Sequence, residues 1–158
     1  MPLPKTYEEL DQRTRALGEY LAASEFGGKP WTAQIQDSSI VSAEDDEGHP
    51  CEKQTLVLVR AQGFPEPPWG TKRSALVNQS NRQLLRAMFG SDPNAVIGKR
   101  VTLFPTKTRM KGAPVDCWRV AGSPDLERDL QTEIHLPRRK PIQVKLVKTG
   151  AKRESGED

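Results

Sequence analysis

The sequence predicts a mainly β domain with a single inserted helix, and three observations predict it. The first is a set of short runs rich in β-branched and apolar residues, bounded by glycine and proline. The second is one clear amphipathic stripe, Leu84, Leu85, Met88 and Phe89, flanked by a polar start and by Gly90. The third is the position of that stripe, between the third and fourth strand-like runs, which gives the order β-β-β-α-β-β.

Trp31 to Val41 (WTAQIQDSSIV) alternates weakly and reads as the first strand. The acidic segment from Ala43 to Pro50 reads as a solvated hairpin tip, since its carboxylates lack the ligand spacing of a calcium loop. Gln54 to Ala61 (QTLVLVRA) is the most apolar run and reads as a central strand. Gln62 to Arg73 holds three prolines, two glycines and the aromatics Phe64 and Trp69. It reads as a loop with exposed aromatic rings, and loops of about a dozen residues are often functional. Ser74 to Val77 is a third short strand. Asn78 or Ser80 then caps the helix through a short polar side chain. Ile97 to Phe104 and Val115 to Val120 form a hairpin around the turn Lys111 to Pro114, with Trp118 facing the core. Five strands with a helix after the third is the order of the OB-fold, a small Greek-key barrel that commonly binds oligonucleotides.

Thr6-Tyr7-Glu8-Glu9 is a capping box, and Leu10, Leu17, Tyr20 and Leu21 follow at helical spacing. The expected organisation is therefore an N-terminal helix over 1–24, an OB-like five-stranded barrel over 25–122, and a basic extension with a disordered tail over 123–158. Within that extension, Asp125 to Gln131 is expected to form a helical turn, and Ile142 to Val147 alternates as an added strand. Thirteen prolines and a mean hydropathy of −0.68 agree with a chain that is partly unburied.

Charge is unevenly distributed. Residues 1–70 carry 6 Lys/Arg against 12 Asp/Glu, whereas residues 71–153 carry 18 against 6. A basic half of this kind suits an anionic partner. Lys107, Arg109 and Lys111 recur at a spacing of two, on one face of an extended arm. Lys72 and Arg73 offer the same chemistry beside Trp69, and Arg138, Arg139 and Lys140 extend it. Such cations can follow a phosphate backbone while Trp69 or Phe64 stacks a base.

Other classes find little support. His49 and His135 lack a Ser or Cys partner in a nucleophile-like turn, and no P-loop or dinucleotide fingerprint is present. Two separated cysteines, Cys51 and Cys117, with two histidines do not make a zinc site; Cys51 reads as an exposed thiol and Cys117 as half-buried packing. Neither metal nor cofactor is expected. No run reaches the roughly 18 apolar residues of a membrane span, and MPLPKTYEEL has no signal-like pattern, so a cytoplasmic location is expected.

Asn78-Gln79-Ser80-Asn81, Phe89-Gly90, Ile97-Gly98-Lys99 with Val101 and Leu103, and Val115-Asp116 with Arg119-Val120 resemble a pattern in a group of small phage and prophage proteins. Leu21 with Phe26-Gly27-Gly28-Lys29 resembles their opening segment, so the resemblance spans roughly residues 20–121. It departs at Val96, where those proteins often have Trp, and at Gln79, where they often have Lys. It implies a phage or mobile-element setting more firmly than an activity.

The expectation for function is a non-catalytic accessory protein binding single-stranded nucleic acid, DNA in preference to RNA. Its contact residues would be Phe64, Trp69, Lys72, Arg73, Lys107, Arg109, Lys111, Arg138, Arg139 and Lys140. The alternative is an adaptor or inhibitor gripping a host or defence protein through loop 62–73 and the N-terminal helix. A third reading makes the same segments oligomer contacts.

Overall fold

The computed structural model describes residues 20–44, 48–110 and 113–150. Seven strands form one sheet: β1 (Trp31–Glu44), β2 (Pro50–Arg60), β3 (Lys72–Val77), β4 (Arg100–Met110), β5 (Ala113–Ser123), β6 (Leu130–Ile134) and β7 (Ile142–Lys148). Their spatial order is β3-β2-β1-β4-β5-β7-β6. The helix α1 (Gln79–Phe89) follows β3 directly. The protein is mainly β with one α-helix among the described residues, as expected.

The expected five-stranded closed barrel is corrected. β1 pairs with both β2 and β4, and β4 with β5, as the predicted order requires, but no ladder joins β3 to β5 and the sheet stays open. Two features stand in that gap. The segment around Tyr20 runs along β3, with a parallel bridge from Tyr20 to Ser74 and the Leu21 amide donating to the Ser74 carbonyl at 2.8 Å. The second is α1, which carries the chain from the end of β3 to the exposed edge of β5.

Asn81 makes that second connection. Its side chain is fully buried; Nδ2 donates to the Trp118 carbonyl at 3.0 Å, and Oδ1 accepts from the Val120 amide at 3.0 Å. One carboxamide thus satisfies a donor and an acceptor of β5 that a neighbouring strand would otherwise take. Gln83 repeats the device two residues on: Nε2 donates to the His135 carbonyl at 2.7 Å and Oε1 accepts from the His135 amide at 2.8 Å. Asn78 is the N-cap, its side chain accepting from the Asn81 amide at 2.8 Å. Leu84 and Leu85 bury the apolar stripe of the helix.

The C-terminal boundary at residue 122 does not separate a core from an appendage. Ile134 on β6 and Leu146 on β7 are fully buried and share one hydrophobic cluster with Ile35, Leu58 and Leu103. Where a helical turn was expected over Asp125 to Gln131, the chain turns and enters β6. β7 runs parallel to the end of β5, pairing Gly122 with Val147 and Ser123 with Lys148. A Cβ at Gly122 would collide with the Val147 backbone, so only glycine admits the two chains at this spacing. Three hydroxyls then join β1, β4 and the residue after β7: Thr32 to Thr102 at 2.7 Å, and Thr102 to Thr149 at 2.7 Å.

Most of the predicted N-terminal helix lies outside the described residues. Its last positions are not α-helical: Tyr20 is in the bridge to β3, and Ala23–Phe26 is a single 3-10 turn. The predicted tail over 151–158 also lies outside them.

Replacing Asn81 by Leu leaves the Trp118 carbonyl and Val120 amide buried without partners. At about 1–3 kcal/mol per unsatisfied group, the substitution is expected to lower unfolding free energy by about 2–4 kcal/mol in urea titration. Asn78→Ala removes only a cap and is expected to cost about 1 kcal/mol.

Candidate nucleic-acid interface

The two aromatic residues assigned to base stacking face inward. Phe64 is 4% exposed, lies 5.8 Å beneath the Arg100 guanidinium carbon, and would meet a Cβ at Gly150 within 2.8 Å of its ring. Trp69 is half-buried and packs on Phe26, ring centroids 4.8 Å apart at 55°. Pro67 is buried as well. The proline-rich loop over 62–71 is therefore a lid folded onto the core. The exposure expected of its rings from the surrounding prolines and glycines is corrected, because Phe64 is buried and Trp69 packs on Phe26.

Arg73 and Lys107, both predicted contact residues, are engaged by carboxylates. Arg73 holds Glu25 through Nε to Oε1 at 3.1 Å and a terminal nitrogen to Oε2 at 3.0 Å, and also donates to the Tyr20 carbonyl at 3.1 Å. It fastens the segment entering the fold to β3. Lys107 donates to Asp116, its cross-strand neighbour, at 2.6 Å. Both side chains of that pair are more than half exposed, so the bond is a weak surface one. Arg109 continues β4, but its side chain lies outside the described residues, and so does Lys111. Lys72, Arg138, Arg139 and Lys140 are exposed.

Among the described residues, the structure brings three of the predicted cations and three others to α1. The Gln83–His135 hydrogen bonds tie the chain after β6 to the helix, bringing the turn with Arg138, Arg139 and Lys140 to its N-terminal end. Arg138 takes a left-handed backbone there, φ 61°. Arg82 and Arg86 are exposed on the helix itself, one turn apart. Arg119 comes from β5, from the same face as Thr108. Arg119, Arg139, Thr108, Ser80 and the first residues of α1 line a cleft of about 300 Å³.

Arg119 escaped the sequence reading because a single Arg between Trp118 and Val120 looks like an ordinary outward residue of a strand. Its conformation is unusual. The Nε atom is shut off from solvent without a hydrogen-bond partner, and among the described residues its guanidinium makes no ion pair or hydrogen bond. Among the described residues no carboxylate lines the cleft.

Asp125 shows the opposite case. It accepts from the Arg100 amide at 2.7 Å and from the Arg100 guanidinium at 2.7 and 3.1 Å. Burial pushes its carboxyl up, but these bonds and the Arg100 charge outweigh it and hold the group below the ordinary range. For Glu25, burial likewise raises the carboxyl, and Arg73 with the Ala22 amide brings it below its ordinary value.

Both cysteines are free and half-buried, so Cys51 is less exposed than expected. Among the described residues no three His, Cys, Asp or Glu side chains could jointly hold a metal ion, and no helix is long and apolar enough to cross a membrane. Comparison with protein-family models, with curated proteins and with solved structures finds no match to this chain.

A carboxyl depressed in the folded state stabilises the fold above its unfolded pKa, and that contribution is lost as pH falls through the folded value. Thermal stability is therefore expected to drop on acidification below about pH 4. Glu25→Gln and Asp125→Asn are each expected to flatten this drop by about 1 kcal/mol or less, because both pairs are partly solvated. Unchanged acid profiles in both variants would show the pairs contribute nothing.

Proposed function

We propose that this is a non-catalytic protein that binds single-stranded nucleic acid by its backbone, in a phage or mobile-element setting within the host cytoplasm. The observation that carries this reading is the placement of Arg119 and the exposed Arg138 to Lys140 turn at the N-terminal end of α1, where Arg119 and Arg139 line one cleft. Cations fixed on a strand and on a turn bonded to the helix suit a repeating row of phosphates, whose release of counterions supplies most of the binding free energy. With Phe64 buried and Trp69 packed on Phe26, phosphate contact takes precedence over base stacking at loop 62–71. A protein-docking role for that loop has less support for the same reason, since its aromatic rings are turned inward.

Fluorescence anisotropy of labelled oligo-dT at two salt concentrations tests the reading. Binding is expected to weaken steeply as salt rises. Arg138→Gln/Arg139→Gln/Lys140→Gln is expected to weaken it further and to make the salt slope shallower by about 2, at ~0.7 per phosphate on single strands. Lys107→Gln is expected to have a small effect, its charge being already met by Asp116. Failure of the wild-type protein to bind at low salt would sink the reading. Binding unaffected by the triple substitution would move the interface away from α1.

A further inference from the structure

Arg119 occupies a position that no feature of the fold explains. A guanidinium retains its proton under all ordinary conditions, so the charge remains when the group is partly buried. Withdrawing such a charge from water without an acceptor is unfavourable. Arg73 and Arg100, which are also half-buried, each have a carboxylate. Arg119 has none among the described residues, and its innermost nitrogen, Nε, is the one sealed from solvent.

The surroundings define what would satisfy it. The cleft beside Arg119 also receives Arg139, the hydroxyls of Ser80 and Thr108, and the first turn of α1. The Gln79 and Ser80 amides fall in that turn, where an α-helix provides no internal acceptor, while the Asn81 amide is already taken by Asn78. Every one of these groups can donate a hydrogen bond, and none is an anion. The contrast lies at the other end of the helix, where Arg82 and Arg86 line a cleft of about 280 Å³ together with Glu52 and Asp92. That cleft is mixed in sign and does not select an anion.

We propose that the cleft between Arg119 and Arg139 is a binding site for one phosphate group, with Arg119 as the fork that grips two of its oxygens. Donors converging from two arginines, two hydroxyls and a helix terminus match a tetrahedral oxyanion. The proposal deepens the nucleic-acid reading by naming the group held at this point of the strand. That group is either an internal phosphodiester or a terminal phosphate, since both present the pair of non-bridging oxygens that a guanidinium fork needs.

Inorganic phosphate alone is the first probe, with protein unfolding followed by thermal shift at constant ionic strength. The expected result is a saturable rise in Tm with phosphate that chloride does not reproduce. Arg119→Gln is expected to abolish the rise while leaving Tm without phosphate unchanged or higher, because it removes an unpaired charge. A merely structural arginine would instead lower Tm on substitution. Arg119→Lys keeps the charge without the fork and is expected to retain only part of the response.

Oligo-dT with a 5′-phosphate or a 5′-hydroxyl then separates the two sources. A terminal-phosphate site gives roughly tenfold tighter binding of the phosphorylated strand, a difference Arg119→Gln removes. An internal site gives equal binding of the two strands, and the variant weakens both. No phosphate-specific rise in the wild-type protein, or a rise that survives Arg119→Gln, overturns the proposal. Oligonucleotide binding that persists in that case leaves the broader function standing. Phosphate binding without oligonucleotide binding keeps the site and overturns the nucleic-acid reading.

Discussion

The fold depends on a side chain doing the work of a strand. β5 is paired on one side with β4 along its length, but its other edge meets β7 only at Gly122 and Ser123. Between that contact and the hairpin tip lie the carbonyl of Trp118 and the amide of Val120, and Asn81 answers both. A buried backbone group without a partner costs as much as a lost hydrogen bond, so the position of α1 is set by this need as well as by Leu84 and Leu85. Once α1 is fixed, Gln83 fixes His135, and His135 fixes the start of the basic turn. The cation cluster is thus a downstream product of two carboxamides three-dimensionally matched to two strand ends.

Much of the fold was legible in the sequence. Alternation located the strands, and Asn78 and Gly90 bounded the helix, because these signals are local and depend on a few neighbouring residues. Closure was not legible. Whether β3 reaches β5 depends on what else fills the edge, and Asn81 is one more short polar residue in the first turn of the helix. Nothing in NQSN distinguishes an asparagine that caps its own helix from one that reaches another strand. β6 was hidden in a different way: Leu130-Gln131-Thr132-Glu133-Ile134 is short and polar, and its half-buried Leu130 and buried Ile134 declare themselves only once β7 lies beside it.

Of the candidate site, the sequence revealed the charge imbalance and the Arg138 to Lys140 turn, but not which cations were already committed. Arg73 and Lys107 looked equivalent to Arg138, yet Glu25, 48 residues away, and Asp116 across the hairpin claim them. Composition counts charges, whereas availability depends on pairing through space. Phe64 and Trp69 failed for the same reason, since a proline-rich segment can fold inward when Phe26 and Gly150 offer a surface to receive its rings.

The clasp between α1 and β5 has a geometric consequence. In a barrel closed by strand ladders, circumference comes in steps of one strand spacing, about 4.8 Å, and is tied to strand number and stagger. Here the last interval is spanned by a carboxamide and by the chain around Tyr20, with a cavity of about 520 Å³ between Leu76 and Trp118. The distance between β3 and β5 across the gap of this open sheet is therefore set by side-chain reach and not by a whole number of strand spacings.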